Sequence, residues 1–194
     1  MKILLIIFLK YKMNIEGEIH IIFGCMYSGK STELLKRINR YKVLSIPILK
    51  FNHSLDTRYG SNKIISHDGN STECIQTDKL MKYIDDTNYN NSKIIIIEEG
   101  HFFEDLYEFV IHSCYEKKKC IHIAALNGDF EKNPIGDILK LIPQSDSIIK
   151  LSALCSICND GTTANFSKRI SDDMDKILVG SNNTYIAVCR KHHS

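Results

Sequence analysis

Apolar residues gather along this chain into short unbroken runs, separated by stretches in which they recur every three or four positions. "IHIIF" (19–23) is the first well-placed run, and "SIPILKF" (45–51), "KIIIIEE" (93–99), "CIHIAAL" (120–126) and "SIIKL" (147–151) follow it. Runs this short and this rich in β-branched residues suit strands covered on both faces. Between them, "STELLKRINRY" (31–41) and "LYEFVIHSCYEK" (106–117) carry apolar residues at helical spacing. Strand alternating with helix predicts βαβ units, hence an α/β fold with a mostly parallel sheet flanked by helices. "DDTNYNNS" (85–92) reads as a solvated turn, and "EKKK" (116–119) as a helix end where cations suit the macrodipole.

The N terminus, "MKILLIIFLKYK", holds an apolar run from Ile3 to Leu9, far short of the about twenty residues a membrane-spanning helix needs. No small-x-small cleavage site follows, so residues 1–16 are expected to be a dispensable extension, with a targeting segment as the alternative. The 194 residues amount to about one domain, expected as an α/β unit over 17–151 and a small appendage over 152–194. With 25 Lys and Arg against 23 Asp and Glu, the formal charge of +2 supplies no strong field toward nucleic acid or an anionic membrane. The partner is therefore expected to be small or locally recognised. Seven cysteines, an odd number, argue for reduced thiols and a cytoplasmic setting.

"GCMYSGKS" (24–31) fits G-x-x-x-x-G-K-[ST] and lies between a predicted strand and a predicted helix, the context that a phosphate-gripping loop requires. Its glycines let backbone N–H groups turn inward, Lys30 brings a point charge to the β and γ phosphates, and Ser31 can ligand Mg²⁺. The acidic half of such a site is expected at the end of another buried strand, where "IIIIEEGHFF" (94–103) supplies Glu98 and Glu99. Side chains alternate along a strand, so one carboxylate can face Mg²⁺ and the other an incoming nucleophile. A carboxylate beside an alcohol can accept its proton during phosphoryl transfer, the division of labour of a kinase.

"CSIC" (155–158) and "CRKH" (189–192) form a C-x-x-C and a C-x-x-H knuckle. Cys155, Cys158, Cys189 and His192 suit a closed tetrahedral Zn²⁺ site, with His193 as a competing fourth ligand and a redox C-x-x-C as the other alternative. With every position taken by protein, such a metal is structural.

The ordered set "GCMYSGKST", "DTRYG", "HDG", "EEGHFF", "AALNGDF", "PIGDILKLIP", "KLSALCSIC" and "YIAVCRKHH" resembles the zinc-containing thymidine kinases of animals, bacteria and large DNA viruses, over essentially 17–193. The resemblance implies transfer of the γ-phosphate of ATP to the 5′-hydroxyl of thymidine. It also implies a RecA-like P-loop domain, a small zinc-tied domain with a lasso over the nucleoside, and a homotetramer inhibited by dTTP, with no direct nucleic-acid or membrane partner. By the same resemblance Glu99 is the catalytic base. Gly24, Cys25, Met26, Tyr27, Ser28, Gly29, Lys30 and Ser31 form the phosphate loop, Asp56, Thr57 and Arg58 lie by the phosphates, and Glu98 is linked to Mg²⁺. Phe102 and Phe130 wall the thymine, Met26 and Ser167 meet its methyl group, His101 lies beside the base, and Tyr185 with Ile177, Leu178, Val179 and Gly180 contacts the nucleoside.

The chain departs from the family pattern at several places. Cys25 stands for Pro, Glu98 for Asp and His101 for Gln, and Asn127 and Asp129 flank Gly128 where Asp and Thr or Ser are common. None removes a reacting group. Two other readings stay open: a P-loop ATPase whose zinc knuckle acts on nucleic acid, and a weakly active nucleotide-sensing relative.

Overall fold

The computed structural model describes residues 16–57, 62–171 and 184–193. Arg58, Ile177, Leu178, Val179 and Gly180, together with the N-terminal run, lie outside the described residues.

Strand β1 (Glu18–Gly24) leads into the first helix among the described residues, α1 (Lys30–Val43), and β2 (Ile48–His53) follows. Two short strands, β3 (Lys63–Ile65) and β4 (Ser71–Glu73), make an antiparallel hairpin before β5 (Ile75–Thr77), α2 (Thr87–Asn91) and β6 (Ile94–Ile97). Helix α3 (Leu106–Ile111), β7 (Cys120–Leu126) and β8 (Ser147–Leu151) complete the larger unit. A six-stranded sheet results, in the order β5-β2-β6-β7-β1-β8, and all its pairs are parallel. Among the described residues no helix is long and apolar enough to cross a membrane.

Alternation along the strands divides the core into two layers. Ile19, Ile21 and Phe23 of β1 pack with Ile95, Ile97, Ile121, Ile123 and Phe109 on one face. Ile22, Ile94, Ile96, Cys120 and Ala124 pack under Leu34, Leu35 and Ile38 of α1 on the other. Strand β8 is less covered than its composition suggests, with Ile148 43% exposed, because it is the sheet's edge.

Helix α3 ends in a wider turn over His112–Glu116, where the Lys117 N–H reaches back to the His112 carbonyl. The solvated-turn reading of 85–92 is overturned. Asp86 caps α2 by accepting from the Asn88 N–H at 2.7 Å, and Tyr89 is fully buried with its hydroxyl 2.8 Å from that of Ser113. One aromatic at the right helical position outweighs its polar neighbours. Lys119 likewise does not serve its own helix end. It is 3% exposed, and its ammonium donates to the Tyr89 carbonyl at 2.6 Å and the Ser92 carbonyl at 2.8 Å, closing the C-terminal end of α2.

The C-terminal segment folds as two small hairpins, β9 (Ala153–Leu154) with β10 (Thr163–Ala164) and β11 (Phe166–Arg169) with β12 (Tyr185–Val188), followed by α4 (Arg190–His193). Their shared apolar cluster is small and includes Cys25 from the loop after β1.

Burial, reinforced by Lys93 and Lys117, holds the Lys119 ammonium down at about 8 against an ordinary 10.5. A base with a depressed folded pKa binds fewer protons folded than unfolded between those two values, so stability rises with pH across that window. Urea unfolding of the native chain and of Lys119→Met at pH 7.5 and pH 10 should show the difference shifting in favour of the native chain by about 2 kcal/mol at the higher pH.

Candidate functional site

Parallel strands aim their carboxyl ends at one edge, and the loops that leave that edge carry every described residue singled out above in the larger unit. Gly24 ends β1 opposite Leu126 of β7, and Ile97 ends β6 opposite Ile123. The loop after β1 and the acidic turn after β6 therefore flank the end of β7.

The loop is built by close approach. A Cβ on Gly24 would fall 2.1 Å from the Ser28 hydroxyl, so glycine alone lets the chain turn back here. Gly29, with φ of 82°, takes the left-handed step that starts α1. Lys30 is buried and donates to the Cys25 carbonyl at 2.9 Å, which folds its ammonium into the loop. The buried Ser28 hydroxyl has no hydrogen-bond partner among the described residues. A cradle with an inward ammonium and a spare hydroxyl fits a polyphosphate.

Glu98 and Glu99 lie just beyond β6, and their divergence has a different origin from strand alternation. Glu99 adopts a left-handed backbone, φ of 52°, at the entry to a single helical turn over Gly100–Phe102. A non-glycine residue in that region marks local strain, of the kind that concentrates at functional sites. Glu98 accepts from the Ser31 hydroxyl at 2.5 Å, which joins the phosphate loop to the acidic turn. Glu99 lies 3.6 Å from Nδ1 of His101. Both carboxylates are almost fully buried.

The Nδ1 atom of His101 also accepts from the Leu126 N–H at 3.3 Å, so the ring leans on the end of β7. Phe102 lies against His101 and His53, with ring centroids 4.1 and 5.6 Å apart. Asp56 is buried, and its carboxylate accepts from Asn52 at 3.0 Å while its carbonyl accepts from Gln76 at 2.8 Å. Its neighbour Thr57 is exposed.

Hydrogen bonds among the described residues tie the C-terminal hairpins to the loop. The Met26 N–H donates to the Ser167 hydroxyl at 3.0 Å, the Tyr27 hydroxyl to the Tyr185 carbonyl at 3.2 Å, and the Cys25 thiol to the Ala164 carbonyl at 3.5 Å. Met26 and Ser167, far apart in the chain, are thus neighbours. The residue that stands for proline, Cys25, is fully buried in the C-terminal cluster, and burial pushes its thiol pKa up.

Arg169 was missed by the motif reading. Its guanidinium lies 3.9 Å from the centre of the Phe130 ring, and its Nη2 donates to the Tyr185 hydroxyl at 2.7 Å. The signal was the register of a hairpin that sets Arg169 opposite Tyr185, and no short motif reveals a register. Arg169 joins two of the expected nucleoside contacts, Phe130 and Tyr185.

Cys155, Cys158, Cys189 and His192 converge. Nδ1 of His192 lies 3.6, 3.3 and 3.5 Å from the sulfurs of Cys155, Cys158 and Cys189, and the last two sulfurs are 3.8 Å apart. A tetrahedron with metal–sulfur bonds of about 2.3 Å and metal–nitrogen bonds of about 2.1 Å has edges of this size, so the donor set fits a zinc ion. His193 is committed elsewhere, with Nε2 2.9 Å from the Phe130 carbonyl and its ring edge-on to Phe166. That leaves His192 as the fourth donor.

Comparison with known sequences covers the same ground. The family model described as thymidine kinase matches residues 17–193. The thymidine kinase of Yaba monkey tumor virus is 41% identical over 175 residues, covering 90% of this chain and 93% of that protein. That of vaccinia virus (strain Western Reserve) is 38% identical over 175 residues, covering 90% and 96%. Thymidine kinase a of Arabidopsis thaliana is 37% identical over 181 residues, covering 92% and 75%. Since the family match spans residues 17–193, from the strand that feeds the phosphate loop to the helix that carries His192, the chain belongs to the thymidine kinase family.

Proposed function

We propose that the chain transfers the γ-phosphoryl group of ATP to the 5′-hydroxyl of thymidine, giving dTMP and ADP, with Glu99 as the base. The observation that carries this reading is the hydrogen bond between Ser31 and Glu98, with Glu99 next in the chain and held in a left-handed turn. Backbone N–H groups of Gly24 to Ser31 and the Lys30 ammonium hold the phosphates. Ser31 and Glu98, already in contact, hold Mg²⁺ directly or through its waters, so the longer Glu side chain does the work of Asp. Asp56, Thr57 and Arg58 lie by the phosphates. The O5′–H proton goes to the Glu99 carboxylate as the P–O5′ bond forms and the bond to the ADP oxygen breaks.

The nucleoside lies between the two units, 17–151 and 152–194. Met26, Ser167 and His101 frame the base, Phe102 and Phe130 wall it, and Tyr185 with the 177–180 segment closes over the sugar. Arg169 holds Phe130 and Tyr185 in one stack. Zn²⁺ on the Cys/His tetrad is structural. Family membership supports a homotetramer, dTTP feedback and a cytoplasmic setting as part of the same reading.

Purified protein with Mg·ATP is expected to form dTMP from thymidine. Glu99→Gln should lower kcat by about 10²-fold or more while ATP affinity, read by calorimetry, changes less than twofold to threefold. ATP hydrolysis that ignores thymidine and responds to DNA or RNA would overturn this reading.

Cys158→Ser, or chelation of the native protein, should raise the KM for thymidine far more than that for ATP. Ser167 and Tyr185 hang on the metal-tied segment, whereas Lys30 and Ser31 belong to α1. Equal changes in both constants would count against the separation of roles.

A further inference from the structure

We propose that Glu18-x-His20 and Cys120-x-His122, on paired parallel strands, form a second metal site for a borderline divalent cation of zinc's class, at the end of the sheet away from the nucleotide.

The register sets Glu18 opposite Cys120 and His20 opposite His122. Residues two apart on a strand share a face, and these four share the face of Ile22 and Ala124, beneath α1. One donor atom from each of His20, Cys120 and His122 lies within 4.8 Å of the others. The Cys120 sulfur is 3.5 Å from Nε2 of His122, inside the 3.3 to 3.8 Å range of the C-terminal tetrad. Glu18 adds a fourth donor, its Oε2 2.9 Å from Nε2 of His20 and 3.9 Å from the Cys120 sulfur. The two imidazoles stack with centroids 4.6 Å apart.

Charge favours the same set. One thiolate and one carboxylate neutralise a divalent cation, so the loaded site carries no net charge into the protein. The Ser147 hydroxyl, 2.7 Å from Nδ1 of His20, orients that ring with Nε2 toward Glu18. The side chain of Glu18 is half exposed, which leaves an entry path.

The metal-free arrangement is a locked alternative. Arg37 can only donate, so its 2.9 Å contact makes Nδ1 of His122 an acceptor and places the ring proton on Nε2, beside the Tyr41 hydroxyl at 2.8 Å. Burial, with His20 and Arg37 adding to it, keeps the imidazole neutral by holding its pKa down at about 3. Burial holds the Cys120 thiol up at about 12. Loading a cation on Nε2 then needs the His122 proton to move to Nδ1 and the Cys120 thiol proton to leave to solvent. Arg37 swings fully onto Glu33, which already accepts from its Nε at 3.2 Å. Arg37 and Tyr41 belong to α1, whose first turn carries Lys30 and Ser31.

Elemental analysis and native mass spectrometry of the full chain, purified with excess Zn²⁺ under reducing conditions, should give two metal equivalents. His20→Ala and Glu18→Gln, both at partly exposed positions, should each lose one equivalent and keep thymidine phosphorylation. Co²⁺ added to protein holding one Zn²⁺ should give tetrahedral visible bands with a single-thiolate charge-transfer band, absent in Cys120→Ser and in His20→Ala. Arg37→Gln should tighten Co²⁺ binding at least tenfold. One equivalent in the native chain, or a Co²⁺ spectrum that His20→Ala leaves unchanged, overturns the proposal.

Discussion

The contact between the Met26 N–H and the Ser167 hydroxyl is one of those that join the two parts of the molecule, and it rests on a segment with very little core. The cluster under the C-terminal hairpins consists mainly of Cys25, Ala164, Ala187, Val188 and two of the metal donors, Cys155 and Cys189. A buried Leu contributes about 2 kcal/mol by burial, and alanines and cysteines far less, so apolar packing cannot order this segment alone. Zinc binding in small peptides supplies about 10 kcal/mol or more, which outweighs the missing burial. An ion on the tetrad would therefore act at a distance: by fixing β9, β11 and β12 it would hold Ser167 and Tyr185 against Met26 and Tyr27 of the phosphate loop.

The larger unit needs no such clamp. Its central strands are covered on both sides by side chains that differ mainly in parity: odd positions of β1 face α3 and even ones face α1. The same parity brings Glu18 and His20 under α1 beside Cys120 and His122. Helix α1 thus has polar chemistry at both ends, Lys30 and Ser31 at its start and an imidazole cluster below its later turns.

Local signals revealed the strands at 19–23, 120–126 and 147–151, helix α1 and both knuckles, because each is announced by period or spacing within a few residues. Segments decided by a single distant contact were illegible. Tyr89 anchors a short helix in an Asn-rich stretch only because Ser113 and Phe109 wait for it. Lys119 looked like a surface cation and instead closes the end of α2. Alternation along a strand predicted that Glu98 and Glu99 diverge, whereas a left-handed turn at Glu99 produces the divergence. Spacing alone left His192 and His193 open, whereas the fold brings His192 to the three sulfurs and turns His193 to the Phe130 carbonyl.

Cys25 shows how such a departure is absorbed. Proline at this position would stiffen the turn through its fixed φ, whereas cysteine leaves the backbone free and offers a small apolar body with a weak donor. The structure uses both properties. The side chain fills the C-terminal cluster with no exposure, and the thiol meets the Ala164 carbonyl. The stiffness that a ring would supply inside the loop is provided from outside it, by packing against the C-terminal hairpins. The conformation of the loop in this chain consequently depends more on the order of those hairpins than it would with proline. If an ion on the Cys/His tetrad orders them, its loss would loosen the loop as well as the hairpins, with the larger effect at Ser167 and Tyr185, which stand on the hairpins themselves.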